Sequence, residues 1–205
     1  SHIMKGLTSH NLGKGYVETN RTSISKGLGQ HFLVNDGVLN KIVSAAKITE
    51  NEVVVEVGPG TGLLTKKLAK TGARIIALEL DKNLHNRLTV ELSHLSNVSI
   101  LIADGRTWDP ASIGRPYKMV ANLPYYAATY IIRHFLESSS PPTDMIVTVQ
   151  REVAQSMTAS PGKMRMVSVA TQLYGKPSIL GYIKPGSFWP KPKVMSAIVK
   201  IQLHN

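Results

Sequence analysis

Short apolar segments alternate with amphipathic segments between residues 53 and 149, and this alternation constrains the fold more than any other feature of the chain. The apolar runs predict strands at 53–57, 75–80, 98–103, 117–121 and 145–149. The intervening segments predict helices at 61–70, 82–94 and 129–137. Strands separated by helices in this way are typical of a mostly parallel sheet with helices on both faces. We therefore expect an α/β fold.

The segments on either side of this core predict how the domain begins and closes. A first helix is expected at 36–46, with Asp36 as its N-cap. Two further helices are predicted at 151–158 and 168–174. They precede strands predicted at 179–183 and 197–203, which are expected to close the sheet as an antiparallel pair.

No linker interrupts the chain after residue 28, so residues 29–205 are predicted to form one domain. Residues 1–28 are basic, rich in Gly, Ser, Thr and Asn, and lack periodicity, which predicts a flexible N-terminal arm. Within that arm, Ser1-His2-Ile3 directly before Met4 resembles the remnant of an expression tag. The arm has no central apolar stretch, so we do not expect a signal peptide.

The charge of the chain favours a polyanionic partner. Lys and Arg number 24 against 13 acidic residues, a formal net charge of +11, and neutralising phosphates with such a surplus releases counterions. The alternative is a basic protein with no nucleic-acid role. No apolar run approaches the length of a membrane span, and the absence of Cys suits a reducing cytoplasm. The seven His show no metal-ligand pattern, so no metal is expected, and we expect a monomer.

A glycine-rich turn follows the first strand of the alternating region. It contains Gly58, Gly60 and Gly62, and glycine allows a ligand to approach the backbone closely. A dinucleotide-binding loop requires its third glycine at position 63, where this chain has Leu. The G-x-G-x-G spacing, with Glu56 directly before it, suits S-adenosylmethionine better, because that ligand has no pyrophosphate.

Two acidic residues end the next two predicted strands. Glu79 lies at the end of the second strand, where a carboxylate can accept from both ribose hydroxyls. Asp104 follows the third strand, where it can accept from an adenine amino group. Each acid could instead be a strand-end cap or a surface charge. Their succession at the carboxyl ends of consecutive strands favours a shared ligand site.

The segment VANLPYY, residues 120–126, ends the fourth predicted strand with groups that suit a flat heterocycle carrying an exocyclic amine. Asn122 offers a carbonyl acceptor, Leu123 is held extended because Pro124 follows it, and Tyr125 offers a flat face. The alternative is a strand-ending turn with a buried Tyr.

Six elements together resemble the ribosomal RNA adenine N6,N6-dimethyltransferases. They are GLGQHFL (27–33), EVGPGTGLLT (56–65), ALELD (77–81), ADGR (103–106), NLPYY (122–126) and FWPKPKV (188–194), in family order. The resemblance implies a Rossmann-like class I fold and the use of S-adenosylmethionine. NLPY and the PGSFWPKPKV ending are most similar to the bacterial small-subunit branch, which modifies two adjacent adenosines in a hairpin near the 3′ end of 16S rRNA. The implied partner is the small ribosomal subunit or its precursor.

The resemblance also implies a cofactor site. His31 and Leu33 are expected to line its methionine end, Gly58 and Gly60 its loop, Glu79 its ribose and Asp104 its adenine. Asn122 is expected to lie between the cofactor and the target base.

The same resemblance implies a catalytic set at residues 122–125 and Phe188. The side-chain oxygen of Asn122 and the backbone carbonyl of Leu123 are expected to accept from the target amine, with Pro124 fixing the turn. Tyr125 and Phe188 are expected to stack on the two faces of the unstacked base. Lys163 and Arg165, in a Pro-Gly loop, are candidate RNA phosphate contacts.

Three departures from the family pattern are visible. Residue 31 is His where the family often has Asn, and residue 195 is Met where Asp is usual. The chain stops at Asn205, where the family continues into a small helical domain. Two alternatives are open at this point: a large-subunit rRNA adenine N6-methyltransferase of the antibiotic-resistance type, and a non-catalytic ribosome-assembly or nucleic-acid-binding factor.

Overall fold

The computed structural model describes residues 30–205. The predicted arm, residues 1–28, therefore lies outside the described residues. The strands are β1 (Phe32–Leu33), β2 (Val53–Val57), β3 (Arg74–Glu79), β4 (Val98–Ile102), β5 (Lys118–Asn122), β6 (Asp144–Gln150), β7 (Gly175–Ile183), β8 (Phe188–Trp189) and β9 (Ser196–Leu203). The helices are α1 (Asp36–Ala46), α2 (Leu63–Ala69), α3 (Lys82–Glu91), α4 (Ala128–Leu136), α5 (Arg151–Met157) and α6 (Met166–Tyr174).

Seven strands form the main sheet in the order β4-β3-β2-β5-β6-β9-β7. The first five are parallel, and β9 runs antiparallel to both of its neighbours, β6 and β7. This confirms the predicted Rossmann-like α/β fold with an antiparallel closing pair. The chain turns from one half of the sheet to the other between β2 and β5, and ligands of open α/β sheets bind in the crevice beyond the carboxyl ends of such strands.

Apolar residues are buried on both faces of the sheet, which confirms that helices cover both. On one face, alternate residues of β2, β5 and β6 pack with α4 and α5; on the other they pack with α1 and α2. Val55 belongs to the first cluster and Val54 to the second, because successive side chains of a strand point to opposite faces. No helix within residues 30–205 combines the length and apolar character that crossing a membrane requires.

The structure corrects the sequence prediction at two places. The N-cap of α1 is Asn35, whose Oδ1 accepts from the backbone N of Val38 at 3.0 Å, and not Asp36. Asp36 instead lies in the first turn and pairs with Lys67 at 2.7 Å. The two-residue strands β1 and β8 were also not predicted; they pair antiparallel, Phe32 opposite Trp189 and Leu33 opposite Phe188. This small sheet ties the segment before α1 to the segment before β9.

Candidate active site

The glycine turn between β2 and α2 has the strained backbone that its sequence requires. Gly58, Gly60 and Gly62 have φ angles of 72°, 54° and 80°, in the left-handed region that other residues seldom adopt. A Cβ built on Gly60 would also lie 2.8 Å from Cδ1 of Phe32. The turn therefore exposes its backbone to the crevice and excludes side chains at this position.

Glu79, the last residue of β3, fixes this turn from the neighbouring strand. Its Oε1 accepts from the backbone N of Gly60 at 3.3 Å, and its Oε2 accepts from the backbone N of Asp81 at 2.9 Å. Burial raises the pKa of Glu79, because a charged carboxylate loses water there, and these two hydrogen bonds oppose the rise. Each oxygen has a second lone pair, so the carboxylate can also accept from a ligand.

Glu56 precedes the turn but faces into the protein. The hydroxyl of Thr65 in α2 donates to its Oε1 at 2.5 Å, and the side chain is buried. Burial raises the pKa of Glu56 to about 8, with a further contribution from the charge of Glu79. Glu56 is therefore neutral at pH 7 and holds α2 against β2, while Glu79 carries the charge next to the turn.

Asp104 lies just after β4 and is held by Arg106. The Nε and Nη2 of Arg106 donate to its oxygens at 3.0 and 2.7 Å, and the backbone N of Arg106 donates to Oδ1 at 2.9 Å. These hydrogen bonds hold the pKa of Asp104 below its ordinary value. Asp104 thus stays charged at neutral pH and is oriented toward the crevice by Arg106, a residue that the sequence analysis did not single out.

The side-chain amide of Asn122 is held at both ends. The hydroxyl of Thr148 donates to Oδ1 of Asn122, and Nδ2 of Asn122 donates to the backbone O of His31 at 3.4 Å. Thr148 lies directly opposite Asn122 in the β5–β6 pairing and is fully buried. The amide therefore has one orientation, with one lone pair of Oδ1 left for another donor.

The three residues that follow are fixed by packing and by one hydrogen bond. Leu123 is buried in the core and Pro124 restricts the backbone after it, so the Leu123 carbonyl is held in place. Tyr125 is half-buried, and its hydroxyl lies 2.5 Å from Oγ of Ser196 at the start of β9. Burial raises the pKa of Tyr125, so this hydroxyl stays protonated at neutral pH.

Three ring systems meet at Tyr125. The ring of His31 lies 5.5 Å away, centroid to centroid, at an interplanar angle of 31°, and Phe188 lies edge-on at 6.5 Å. His31 is fixed in turn by a 2.7 Å hydrogen bond between its Nδ1 and the backbone O of Pro190. The aromatic face beside Asn122 is therefore a small cluster rather than a single ring.

The structure places two of the predicted residues differently from expectation. Phe188 is only 2% exposed and packs within the core, so it supports Tyr125 from the side and is not a ring presented to solvent. Leu33 is buried in the same cluster, and Phe32, its neighbour, lines the cavity at the glycine turn. Alternation along β1 explains this exchange, because adjacent strand residues point to opposite sides.

Two adjoining cavities lie at the carboxyl ends of the central strands. The first is lined by His31, Phe32, Gly58, Gly60 and Asn122, and the second by Leu80, Asp104, Arg106 and Tyr126. Gln30, Glu79 and Pro124 line both. The predicted site residues Gly58, Gly60, Glu79, Asp104 and Asn122 thus meet around one crevice.

Gln30 gives an independent indication that this crevice is built for a polar ligand. Among residues 30–205, its Oε1 is the buried side-chain oxygen or nitrogen that has no hydrogen-bond partner. Such an acceptor is costly unless a donor reaches it. An elongated ligand with an ammonium group at one end and hydroxyl groups near Glu79 fits these residues. The sequence analysis missed Gln30, although it lies within the GLGQHFL element.

The remaining sequence-predicted residues lie apart from the crevice. Lys163 ends a short 3₁₀ turn and Arg165 directly precedes α6; both are exposed, and neither lines either cavity. Their contact with RNA stays a prediction. The carbonyl of Met195 accepts from the backbone N of Arg151 at 3.0 Å, but nothing in the structure explains Met in place of Asp there.

A family model described as ribosomal RNA adenine dimethylase matches residues 21–205. The chain belongs to this family. A curated relative from Dehalococcoides mccartyi strain 195, named ribosomal RNA small subunit methyltransferase A, is 45% identical over 87% of this chain and 62% of its own length. A relative of the same name from Clostridioides difficile is 38% identical over 98% of this chain and 73% of its own length. The chain thus spans about two thirds of the length of these relatives.

Solved structures support the fold at higher similarity than sequence alone. The 23S rRNA methyltransferase ErmE matches with a TM-score of 0.77 and 28% identity, over 84% of this chain and 70% of that one. A dimethyladenosine transferase from Plasmodium falciparum matches with a TM-score of 0.76 and 27% identity, over 85% of this chain and 64% of that one.

Proposed function

We propose that this chain is the catalytic domain of an S-adenosylmethionine-dependent rRNA adenine N6,N6-dimethyltransferase, acting on two adjacent adenosines near the 3′ end of small-subunit rRNA in the cytoplasm. Membership of the ribosomal RNA adenine dimethylase family supports the reaction. The names of the relatives at 45% and 38% identity support the small subunit as the substrate. The net charge of +11 suits an RNA partner.

One observation carries the proposal: the amide of Asn122 lies in a fixed orientation at the edge of the crevice formed by the glycine turn. Thr148 and the backbone of His31 hold the amide, and Asn122 lines the same cavity as Gly58 and Gly60. An acceptor held next to a methyl-donor site is what methylation of an aromatic amine requires.

S-adenosylmethionine, when bound, supplies a methyl group on a positively charged sulfur. Glu79 would accept from its ribose hydroxyls, Asp104 from its adenine amine and Gln30 from its ammonium group. The residues of this chain thereby fix the position of the reacting centre, and positioning is worth several kcal/mol of a barrier. Because the sulfonium charge is dispersed during transfer, electrostatic stabilisation by the surrounding dipoles also contributes.

The adenine amine is a weak nucleophile, because its lone pair is delocalised into the ring. Two acceptors aimed at its N–H groups favour the pyramidal geometry in which that lone pair is available. The remaining lone pair of Asn122 Oδ1 and the carbonyl of Leu123 are the groups that we assign to this role. No strong base is needed, since the proton departs after the bond to the methyl group has formed.

The target adenosine has to leave its stack to reach these acceptors, at a cost of a few kcal/mol. Stacking on Tyr125 would offset part of this, because base–aromatic stacking is worth about 1–3 kcal/mol per base. The Ser196 hydroxyl and the rings of His31 and Phe188 hold Tyr125 in place for that contact.

Methyl transfer to undermethylated small ribosomal subunits tests the proposal, with the modified nucleotides mapped by mass spectrometry. We expect two adjacent N6,N6-dimethyladenosines near the 3′ end, and none with the Asn122→Ala variant. A protein that binds the cofactor and methylates no rRNA would contradict the proposal and favour a non-catalytic assembly factor.

A large-subunit target is the second candidate, favoured by the similarity to ErmE. Undermethylated large subunits, assayed in parallel, separate the two candidates. The proposal predicts that methyl groups are transferred to the small subunit and not to the large one.

A further inference from the structure

Two tyrosines are exposed beside the crevice, and the proposed chemistry uses neither. Tyr126, in the turn before α4, is 47% exposed, and Tyr130, in the first turn of α4, is 67% exposed. The opposite face of α4 is buried in the core. Single exposed aromatics are ordinary on protein surfaces, but two at adjacent turns beside a candidate active site call for an explanation.

Both tyrosines are continuous with the site. Tyr126 directly follows Tyr125, so their Cα atoms are about 3.8 Å apart. Tyr126 also lines the cavity that contains Asp104 and Arg106. Tyr130 lies four residues further on, and residues four apart on a helix are neighbours on its surface. The two rings therefore extend outward from the crevice along the solvent-facing side of α4.

Two arginines accompany these rings. The charge of Arg106 is near enough to Tyr126 to oppose the rise that burial causes in the pKa of its hydroxyl. Arg133 lies three residues after Tyr130 on the same side of α4 and contacts Glu137 through Nε and Nη2, at 3.1 and 2.9 Å. A guanidinium carries five N–H donors, so both arginines retain donors for a further acceptor.

We propose that Tyr126 and Tyr130, with Arg106 and Arg133, form a subsite for the unpaired nucleotide next to the target adenosine, stacking its base and contacting its phosphate. This inference rests on the proposed function. Aromatic side chains stack on any base, since every base has a π face, and arginine suits phosphate. A neighbouring base held in this way would keep the RNA opened while the target base occupies the crevice.

The subsite also suits a substrate with two adjacent adenosines. After the first adenosine is dimethylated, its amine has no N–H left to donate, but its π face is unchanged. A subsite that read the amine by hydrogen bonds would reject the modified neighbour. A stacking subsite accepts both forms, so it would work for the first and the second target alike.

The test uses an RNA hairpin with two adjacent adenosines and the fluorescent base 2-aminopurine at the flanking position. The variants are Tyr126→Ala, Tyr130→Ala and their double variant, with Tyr126→Phe and Tyr130→Phe to keep the rings. Tyr182→Ala is the matched control, because Tyr182 is 51% exposed but lies on β7 at the far edge of the sheet. Cofactor affinity is measured by calorimetry for each variant.

We expect the wild-type protein to quench 2-aminopurine and the double alanine variant to bind the hairpin about tenfold or more weakly, without quenching. Cofactor affinity and the Phe variants should match the wild type. A double variant that behaves like Tyr182→Ala would overturn the subsite, as would a loss of cofactor affinity that accounts for the whole defect. If the wild type methylates no RNA, the proposed function fails, while quenching still reports on the subsite.

Discussion

Glu56 and Glu79 show how burial divides two carboxyl groups, 23 positions apart in the chain, into different roles. Glu56 is fully buried and its pKa is raised to about 8, whereas Glu79 keeps its carboxylate at the crevice, where backbone N–H groups oppose the effect of burial on its pKa. The first carboxyl group is a neutral structural group, and the second is available to a ligand. At this scale the environment, and not the residue type, determines the role.

Replacing Glu79 should weaken cofactor binding. In Glu79→Ala the ribose hydroxyls lose a charged acceptor, and hydrogen bonds to charged groups are worth about 1.5–3 kcal/mol each. We expect an affinity loss of about tenfold or more by calorimetry. Since Glu79 also accepts from Gly60 and Asp81, Glu79→Gln is the matched control that keeps part of this support. Unchanged affinity in both variants would remove Glu79 from the site.

Replacing Glu56 should change how stability depends on pH. The folded protein holds a proton on Glu56 up to about pH 8, whereas the unfolded chain releases it near the ordinary pKa of 4.5. The free energy of unfolding therefore falls as pH rises from about 5 to about 8. The fall approaches about 3 kcal/mol at pH 7, at ~1.4 kcal/mol per pH unit.

Glu56→Gln keeps an acceptor for Thr65 and has no proton to lose, so we expect a shallower decline of stability across that pH range. Urea denaturation of both proteins at pH 5, 6, 7 and 8 measures it. The raised pKa of Glu79 contributes in the same direction in both proteins, so the difference between them isolates Glu56. Parallel curves would mean that Glu56 is already ionised in the folded protein.

At the scale of elements, the pairing of strands places hydroxyl groups against the site residues. β6 brings Thr148 opposite Asn122, and the start of β9 brings Ser196 to Tyr125. Both hydroxyl-bearing residues are fully buried. Two neighbouring strands therefore orient the two groups that the proposed chemistry depends on.

Thr148→Val should slow the chemical step more than it weakens binding. Without the hydroxyl, the Asn122 amide is held only by the 3.4 Å contact with His31 and can turn its NH₂ toward the target amine. We expect a roughly 10–100-fold lower single-turnover rate with saturating RNA and cofactor. Thr148→Ser, which restores the hydroxyl, should recover most of the rate. Equal rates in Val and Ser variants would show that the hydroxyl does not act through Asn122.

Tyr125→Ala should reduce methylation severely while leaving cofactor affinity nearly intact, because the ring is expected to stack on the base. Tyr125→Phe keeps the π face but loses the hydrogen bond to Ser196, so we expect it to retain most activity, as Ser196→Ala should. Thermal melts beside single-turnover kinetics separate this from core packing. If Tyr125→Ala lowers the melting temperature and weakens both ligands together, Tyr125 is structural.

At the scale of the whole molecule, the charge surplus predicts the response to salt. RNA affinity should fall steeply with salt concentration, as counterion release requires, and alanine at both Lys163 and Arg165 should reduce that slope by up to about two contacts. Filter binding at several salt concentrations measures the slope. Alanine at Lys176 and Lys200, on the strands β7 and β9, provides a control of equal charge. A wild-type slope in the Lys163/Arg165 variant would exclude these two residues from the interface.

The sequence by itself determined the class of fold, the position of most elements and the glycine turn. These follow from local properties: apolar periodicity marks strands and helices, and a left-handed turn needs glycine wherever it occurs. Val53–Val57 and the helix from Asp36 to Ala46 were predicted with the bounds that the structure has. Glu79, Asp104 and Asn122 could be placed at one edge because parallel strands end on the same side of a sheet.

Only the tertiary structure decided which side chains hold these groups and which rings are exposed. Thr148, Ser196, Arg106 and Gln30 have no local sequence pattern that announces a contact with the site, because their partners come from other strands or turns. Phe188 was expected to face solvent, and its burial depends on the pairing of β1 with β8. Burial and strand register are properties of the assembled sheet, so the sequence of a single segment does not encode them.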